Sequence, residues 1–166
     1  GKGFAIGSAS LAALSLFSSF LYAQADQGQT SGFLLNLNFI DTLTLAGGVT
    51  GAALPFLFSG IIIEAVSSAA RKMVQEVRRQ FHDIPGILTG KTKPDYTKCI
   101  RISSISALQE MKLPAFIAVL TPIFGGFLLG PRFIGGLLIG TTLTAVVLAL
   151  FSANSGGVWD NAKKFI

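Results

Sequence analysis

Four long stretches of the chain carry no charged side chain, and each is rich in Leu, Ile, Val, Phe and Ala. They cover residues 3–25, 42–63, 113–131 and 133–159. Because an α-helix rises 1.5 Å per residue, each stretch is long enough to cross a hydrocarbon core about 30 Å thick. One such stretch alone could be a buried helix of a large soluble protein. Four of them in 166 residues leave no amphipathic helices to cover them, so the pattern predicts membrane spans.

The second stretch does not end the helix to which it belongs, because apolar residues continue after it at helical spacing from Val66 to Phe81. This helix should project roughly 25 Å further, until the sequence from His82 to Gly86 breaks it. Pro94 and Asp95 then begin a second projecting helix.

The resulting architecture is an all-α polytopic membrane helix bundle, with four transmembrane helices of which two extend into the cytoplasm. We expect residues 1–166 to form a single membrane domain, as a fragment of a longer protein. The predicted spans lie at about residues 3–25, 42–70, 108–130 and 133–160, and the cytoplasmic helical hairpin lies at about residues 65–112.

Basic residues are concentrated on one predicted side of the membrane. Nine of the 13 Lys and Arg residues lie between Arg71 and Lys112, and Lys163 and Lys164 follow the fourth stretch. Since cytoplasmic loops carry the excess of Lys and Arg, we expect this segment and both chain ends to face the cytoplasm. The turn at Arg132 and the connection between the first two spans should face the other side. The net charge of +5 therefore requires no nucleic-acid partner.

The composition excludes several classes of protein. Only 13% of the residues are charged and the mean hydropathy is +0.63, whereas soluble domains carry about 25% charged residues. The single cysteine, Cys99, excludes an internal disulfide framework and a Cys-rich zinc site. The single histidine, His82, argues against a His-based metal cluster and a Ser-His-Asp site.

Small residues cluster in the predicted spans, where they would let helix backbones approach closely. Gly126 and Gly130 have the four-residue spacing of packed membrane helices, and so do Gly136 and Gly140. We therefore expect a tightly packed bundle, in which such surfaces pack against other helices of the chain or against a partner subunit.

The end of the fourth span offers candidate chemistry. Asp160, Lys163 and Lys164 are spaced to lie on one face of a helix at the membrane boundary. A carboxylate suits Mg²⁺, and Lys offers a compact positive charge to a phosphate. The same residues also suit a simple stop-transfer cap, with the lysines reaching toward the headgroups. Spacing alone leaves both interpretations open.

Three further residues invite a functional interpretation. Glu64 lies at the cytoplasmic edge of the second span, where it belongs either to an ion path or simply to the interface. We expect His82 to be a helix-end residue and Cys99 to be a half-buried thiol.

Four short segments of the chain have characteristic sequences. They are GKGFAIGSA at 1–9, EVRRQF at 76–81 followed by IPG at 84–86, PDY at 94–96 with Cys99, and WDNAKK at 159–164. In this order and spacing they resemble the membrane-integral pyrophosphatases, which are ion pumps driven by hydrolysis of pyrophosphate. The resemblance extends over the whole chain and implies a piece covering about helices 12 to 15 of a sixteen-helix protein.

The resemblance also implies the roles of site residues. By matching motif, Asp160 and Asn161 would bind the metal, and Lys163 and Lys164 would bind pyrophosphate, with no catalytic residue in this fragment. The implied cofactor is Mg²⁺ with K⁺ as an activator, and the implied partners are pyrophosphate, membrane lipid and a second copy in a homodimer. The location would be a vacuolar or acidocalcisomal-type endomembrane or a prokaryotic plasma membrane, with the active site on the cytoplasmic side.

The function implied is hydrolysis of inorganic pyrophosphate coupled to H⁺ or Na⁺ transport, in an enzyme of which this chain is an incomplete and by itself inactive part. The alternative is a non-enzymatic multi-span transporter or membrane scaffold, in which the end of the fourth span only fixes topology. The sequence departs from the family at Glu64, where relatives usually carry Lys, at Thr89, and at residues 112–115. None of these departures touches the matched site residues.

Overall fold

The described part of the chain, in the computed structural model, comprises residues 1–26 and 37–165, without the side chains of residues 25 and 26. Within it the chain forms five α-helices and no β-strand, which confirms the all-α prediction. They are α1 (Lys2–Asp26), α2 (Thr42–Asp83), α3 (Tyr96–Glu110), α4 (Lys112–Leu129) and α5 (Pro131–Lys163). Of the predicted connection between the first two spans, residues 27–36 lie outside this description.

Four helical segments are long and apolar enough to cross a membrane, as the uncharged stretches predict. They are Lys2–Gln24, Thr42–Asp83, Tyr96–Leu129 and Pro131–Lys163. The third consists of α3 and α4, which are separated only by Met111. The 42 residues of α2 measure roughly 63 Å along the helix, about twice the thickness of a hydrocarbon core.

The predicted helix boundaries beyond the spans are confirmed. Helix α2 ends at Asp83, immediately before Ile84, Pro85 and Gly86. Helix α3 begins after Asp95, whose side-chain Oδ1 accepts a hydrogen bond from the backbone N–H of Lys98 at 3.0 Å. This is the capping geometry that stabilises a helix N-terminus, because it satisfies a backbone donor that the helix leaves free.

The chain contains two compact units. The first comprises Gly1–Leu57 and Leu120–Ile166, and the second comprises Phe58–Val119. The first unit holds α1, α5, the beginning of α2 and the end of α4, whereas the second holds the rest of α2, α3 and the beginning of α4. The expectation that residues 1–166 form a single membrane domain stays a prediction.

The core of the first unit lies near the beginning of α5. Phe133, Ile134 and Leu137 are buried there, with Phe20 of α1 and Leu54 of α2 packed against them. Helix α5 is therefore held between α1 and α2 at this end.

Helices α2 and α5 approach each other through glycine. A Cβ atom added at any of four glycines would collide with a backbone carbonyl oxygen of the facing helix. The colliding pairs are Gly47 with Phe133, Gly51 with Leu137, Gly136 with Thr44, and Gly140 with Gly48. This set of glycines is called the glycine contact below. It confirms the prediction that Gly136 and Gly140 allow close packing.

The other predicted pair, Gly126 and Gly130, makes no such close approach within the described residues, so its role in helix packing stays a prediction. A Cβ at Gly126 would make an ordinary 3.6 Å contact with Ile134, and one at Gly130 would meet nothing within 4 Å. Gly130 instead has a φ of +82°, a conformation that glycine adopts readily, and it immediately precedes α5. The tight position on α4 is Gly125, where a Cβ would lie 2.8 Å from the ring of Phe133.

The lone basic residue on the predicted external side has a partner. Arg132 Nη1 lies 3.5 Å from Oδ1 of Asp41. The other oxygen of Asp41 accepts hydrogen bonds from the backbone N–H and the hydroxyl of Thr44, each at 3.1 Å. Asp41 therefore caps α2 and at the same time connects the beginning of α2 to that of α5.

Two alanine substitutions in α2 test the glycine contact. Gly47→Ala should lower the free energy of unfolding of the intact protein by about 1–3 kcal/mol, because the new methyl group meets a backbone carbonyl that cannot rotate away. Gly60→Ala is the matched control, since a Cβ there meets nothing within 4 Å. It should be neutral or stabilising by up to about 1 kcal/mol. Thermal unfolding in detergent measures both, and equal effects of the two substitutions would contradict the close approach.

Candidate functional site

The end of α5 carries the residues that the sequence singles out. Asp160, Asn161 and Lys163 lie in the last turn, and Lys164 is the residue that caps the helix. Lys164 Nζ lies 2.9 Å from Oδ2 of Asp160. The structure thus confirms that Asp160 and Lys164 share a face.

All four of these side chains are exposed. The exposed fraction is 62% for Asp160 and 67% for Lys164, so water competes for both ends of their ion pair. Such exposed pairs contribute at most about 1 kcal/mol. A phosphate oxygen or a metal ion could therefore replace either partner at little cost. Lys163 and Lys164 also lie at the negative end of the helix dipole, which favours cations whether or not a ligand binds.

The donor set at this end of α5 is compatible with Mg²⁺. Asp160 offers carboxylate oxygens and Asn161 an amide oxygen, and Mg²⁺ commonly takes one or two carboxylates together with phosphate oxygens and water. In the part of the chain that the structure describes, no three His, Cys, Asp or Glu side chains come together to hold a metal. A magnesium site that uses Asp160 would therefore draw its other ligands from phosphate, water or further residues.

A second polar cluster lies in the other unit, where α2 meets the beginning of α3. It consists of Glu76, Arg79, Gln80, Asp95 and Lys98, and is called the Glu76 cluster below. The side chains of Glu76 and Gln80 are only 7% and 3% exposed. Arg79 binds the Glu76 carboxylate through both oxygens, at 2.7 and 3.0 Å. Lys98 Nζ lies 3.2 Å from Glu76 Oε2.

Gln80 connects the two helices. Its amide nitrogen donates to Glu76 Oε1 at 3.0 Å and to the backbone carbonyl of Asp95 at 3.1 Å. Its amide oxygen accepts the backbone N–H of Asp95 at 2.9 Å. The same nitrogen lies 3.6 Å from Cys99 Sγ. Because the side chain of Asp95 caps α3, the cluster fixes the point where this helix begins.

The ionisation of Glu76 follows from these partners. The hydrogen bonds from Arg79 lower the pKa of Glu76 to about 2; Gln80 and Lys98 act in the same direction, and burial opposes them. Glu76 is therefore a paired carboxylate at neutral pH. Conversely, the Glu76 carboxylate raises the pKa of Arg79.

The sequence did not reveal the Glu76 cluster, although four of its five residues lie within two of the family motifs. Glu76 and Gln80 are four residues apart on one helix, so a contact between them was readable. The pairing of Gln80 with Asp95 crosses a loop, and no local periodicity indicates it.

The remaining candidates have the environments that the sequence predicts. His82 is largely exposed at the end of α2, with Nδ1 2.9 Å from Asp83 Oδ1. Cys99 is a half-buried free thiol. Glu64 is exposed on α2, which leaves its two interpretations open.

The Glu76 cluster predicts a defined loss of stability in acid. Because folding lowers the pKa of Glu76 from 4.5 to about 2, its contribution is complete above about pH 4.5 and is lost as the pH falls toward 2. Glu76→Gln should remove this component of the decline in unfolding temperature, and should also destabilise the protein at pH 7 by leaving Arg79 and Lys98 without their shared anion.

The control is Glu64→Gln, the same substitution at an exposed position of the same helix. It should retain the acid-dependent decline, as measured by circular dichroism of the intact protein between pH 7 and pH 2. An unchanged pH profile in Glu76→Gln would show that the cluster does not stabilise the fold.

Comparison of the chain with known proteins points to one protein family. The family model described as inorganic H⁺ pyrophosphatase matches residues 1–166. A K⁺-stimulated pyrophosphate-energized sodium pump of Thermotoga maritima is 56% identical over 169 residues, which cover all of this chain and 23% of the relative. A putative pump of the same description from Clostridium tetani is 50% identical, over all of this chain and 24% of the relative.

A third relative is named for a different ion. It is a K⁺-insensitive pyrophosphate-energized proton pump of Methanosarcina mazei, 44% identical over 99% of this chain and 24% of the relative. The chain thus spans about a quarter of the length of these relatives. With the family match extending over every residue and four helices capable of spanning a membrane, the chain belongs to the inorganic H⁺ pyrophosphatase family.

Proposed function

We propose that this chain is part of a membrane pump that hydrolyses inorganic pyrophosphate and couples the reaction to transport of H⁺ or Na⁺. The observation that carries the proposal is the family match over residues 1–166. The names of the relatives and the four candidate spans agree with it.

Within such a pump, Asp160 and Asn161 would help to hold Mg²⁺, and Lys163 and Lys164 would bind pyrophosphate. When bound, the metal neutralises charge on the phosphate oxygens and polarises the phosphoryl group. The two lysines add fixed positive charge beside those oxygens. Lys164 now contacts Asp160, so on binding it would exchange a carboxylate oxygen for a phosphate oxygen, which leaves Asp160 free to bind the metal.

The proposal includes the setting of the site. The concentration of basic residues between Arg71 and Lys112 favours the cytoplasmic side for that segment and for the end of α5. The proposal also includes assembly as a homodimer. The membrane would be a prokaryotic plasma membrane or a vacuolar or acidocalcisomal-type endomembrane. The names of the relatives at 56% and 50% identity support stimulation of the proposed pump by K⁺, whereas the proton pump at 44% identity is named K⁺-insensitive.

A neutral substitution at Asp160 tests the metal assignment. Asp160→Asn in the full-length pump should lower Mg²⁺-dependent pyrophosphate hydrolysis by about 100-fold or more, the usual cost of removing a charged group that acts on the reacting centre. Phosphate release at several Mg²⁺ concentrations measures the effect.

Asp83→Asn is the matched control for this substitution. Asp83 is also an exposed carboxylate at the end of a long helix, and it pairs with Arg79 at i,i+4 spacing as Asp160 pairs with Lys164. We expect hydrolysis to change less than about threefold in this control, since an exposed ion pair contributes at most about 1 kcal/mol. Full activity of Asp160→Asn would remove Asp160 from the site.

A membrane scaffold is the second candidate function, because exposed lysines at a helix C-terminus also suit a topology signal. The double substitution Lys163→Gln and Lys164→Gln separates the two. A pump predicts normal insertion with a strong loss of hydrolysis, whereas a scaffold predicts altered insertion and no phosphate phenotype.

The control for charge removal is the double substitution Lys91→Gln and Lys93→Gln. It removes two exposed lysines from the segment between α2 and α3. Insertion is measured by labelling cysteines introduced on either side of the membrane. Normal insertion and full hydrolysis in the Lys163/Lys164 variant would contradict both roles of these residues.

A further inference from the structure

Helix α2 lacks one of its own hydrogen-bond donors. Pro55 is a buried residue in the interior of this helix. Proline has no backbone N–H, so it cannot make the bond to the carbonyl four residues earlier, which here is Gly51. Residues 42–63 carry no charge and form part of a candidate span. In hydrocarbon a backbone carbonyl without a donor costs several kcal/mol, because no water can replace the bond.

A side chain of α5 supplies a donor at this position. The hydroxyl of Thr141 donates a hydrogen bond to the carbonyl oxygen of Gly51 at 3.0 Å. Thr141 is half-buried and lies 90 residues further along the chain. This bond therefore crosses from one long helix to another.

Other hydroxyls in the described helices behave differently. Ser10, Ser19, Thr50 and Ser67 each donate to the carbonyl four residues earlier in their own helix. This is the usual arrangement of Ser and Thr within helices. Thr141 could bond to Leu137 in the same way, but its hydroxyl is directed to α2 instead.

The glycine contact explains how the hydroxyl reaches its acceptor. Gly51 has no side chain, and a Cβ there would collide with the backbone of Leu137. A Cβ at Gly140, the residue immediately before Thr141, would likewise collide with the backbone carbonyl of Gly48. The two helices are thus near enough for a short side chain to reach a backbone carbonyl at the position that proline leaves without its donor.

We propose that the Thr141 hydroxyl replaces the missing donor of Pro55 and fixes the register of α5 on α2. The carbonyl of Gly51 receives this donor only where Thr141 faces it, so a shift of α5 by one turn would break the bond. The inference does not depend on the proposed pump function, since it concerns helix packing alone.

A double-mutant cycle tests the proposal in the full-length protein. Thr141→Val keeps the shape of the side chain and removes its hydroxyl, so it should lower the unfolding temperature by about 1 °C. Pro55→Ala restores a backbone N–H for Gly51. In that background Thr141→Val should have little effect, because the carbonyl then has a donor from its own helix.

Two further variants are the controls. Thr141→Ser retains the hydroxyl and should keep the unfolding temperature of the parent. Thr50→Val removes a hydroxyl that bonds within α2, to Ala46, and its effect should be the same with Pro55 and with Ala at that position. An equal effect of Thr141→Val in both backgrounds would overturn the proposal. So would equal unfolding temperatures of Thr141→Val and Thr141→Ser, and this comparison decides the matter if the Pro55→Ala protein does not fold.

Discussion

The constraint on which this structure depends is that lipid offers no hydrogen bonds to the polypeptide backbone. Each N–H and C=O group within the spans needs a partner in the protein, and an α-helix provides one for nearly all of them. This explains why the described spans are helical throughout. Large apolar side chains such as Phe127 and Leu128 are exposed on their surfaces, which an apolar hydrocarbon core permits. The same constraint also makes the exceptions informative, because each place where a helix lacks a donor or an acceptor needs a substitute. Asp41 supplies an acceptor for the backbone N–H of Thr44 at the beginning of α2, and Thr141 supplies a donor for the carbonyl of Gly51 beside Pro55.

The two groups of charged residues, the Glu76 cluster and the end of α5, differ in what they can bind. In the Glu76 cluster every oxygen of a buried carboxylate is occupied by a cation or an amide. Removing those partners would leave a buried charge uncompensated, which is far more costly than breaking an exposed pair. The cluster therefore serves the fold. At the end of α5 the acid and the amine are in water, and they can change partners at little cost. Of the carboxylates of Glu76 and Asp160, only that of Asp160 is exposed and able to change partners.

The sequence predicted those features that local physics determines. Uncharged stretches predicted the four spans, and Pro94 with Asp95 predicted where α3 begins. Spacing also predicted that Asp160 and Lys164 share a face. It could not choose between the two glycine pairs, because a four-residue spacing says that a face is smooth but not which helix lies against it. The bond from Gln80 to Asp95 and the bond from Thr141 to Gly51 join residues that are 15 and 90 positions apart. No periodicity reports such contacts. The roles of Asp160 to Lys164 came from the family resemblance rather than from spacing.

Helix α5 is buried at its beginning and exposed at its end. This arrangement suits the proposed site at the end of α5, whose other residues would come from elsewhere. Its beginning is buried at Phe133 to Leu137, and its backbone contacts α2 as far as Gly140 and Thr141. From there to Lys164 its side chains become progressively more exposed. A helix anchored over its first three turns carries its far end as a stiff rod, with about 28 Å of helix between Thr141 and Asp160. In the proposed magnesium site, one carboxylate at the tip of this helix would be too few ligands for Mg²⁺. The relatives are about four times as long as this chain, so in the proposed pump the other ligands would come from segments that this chain does not cover.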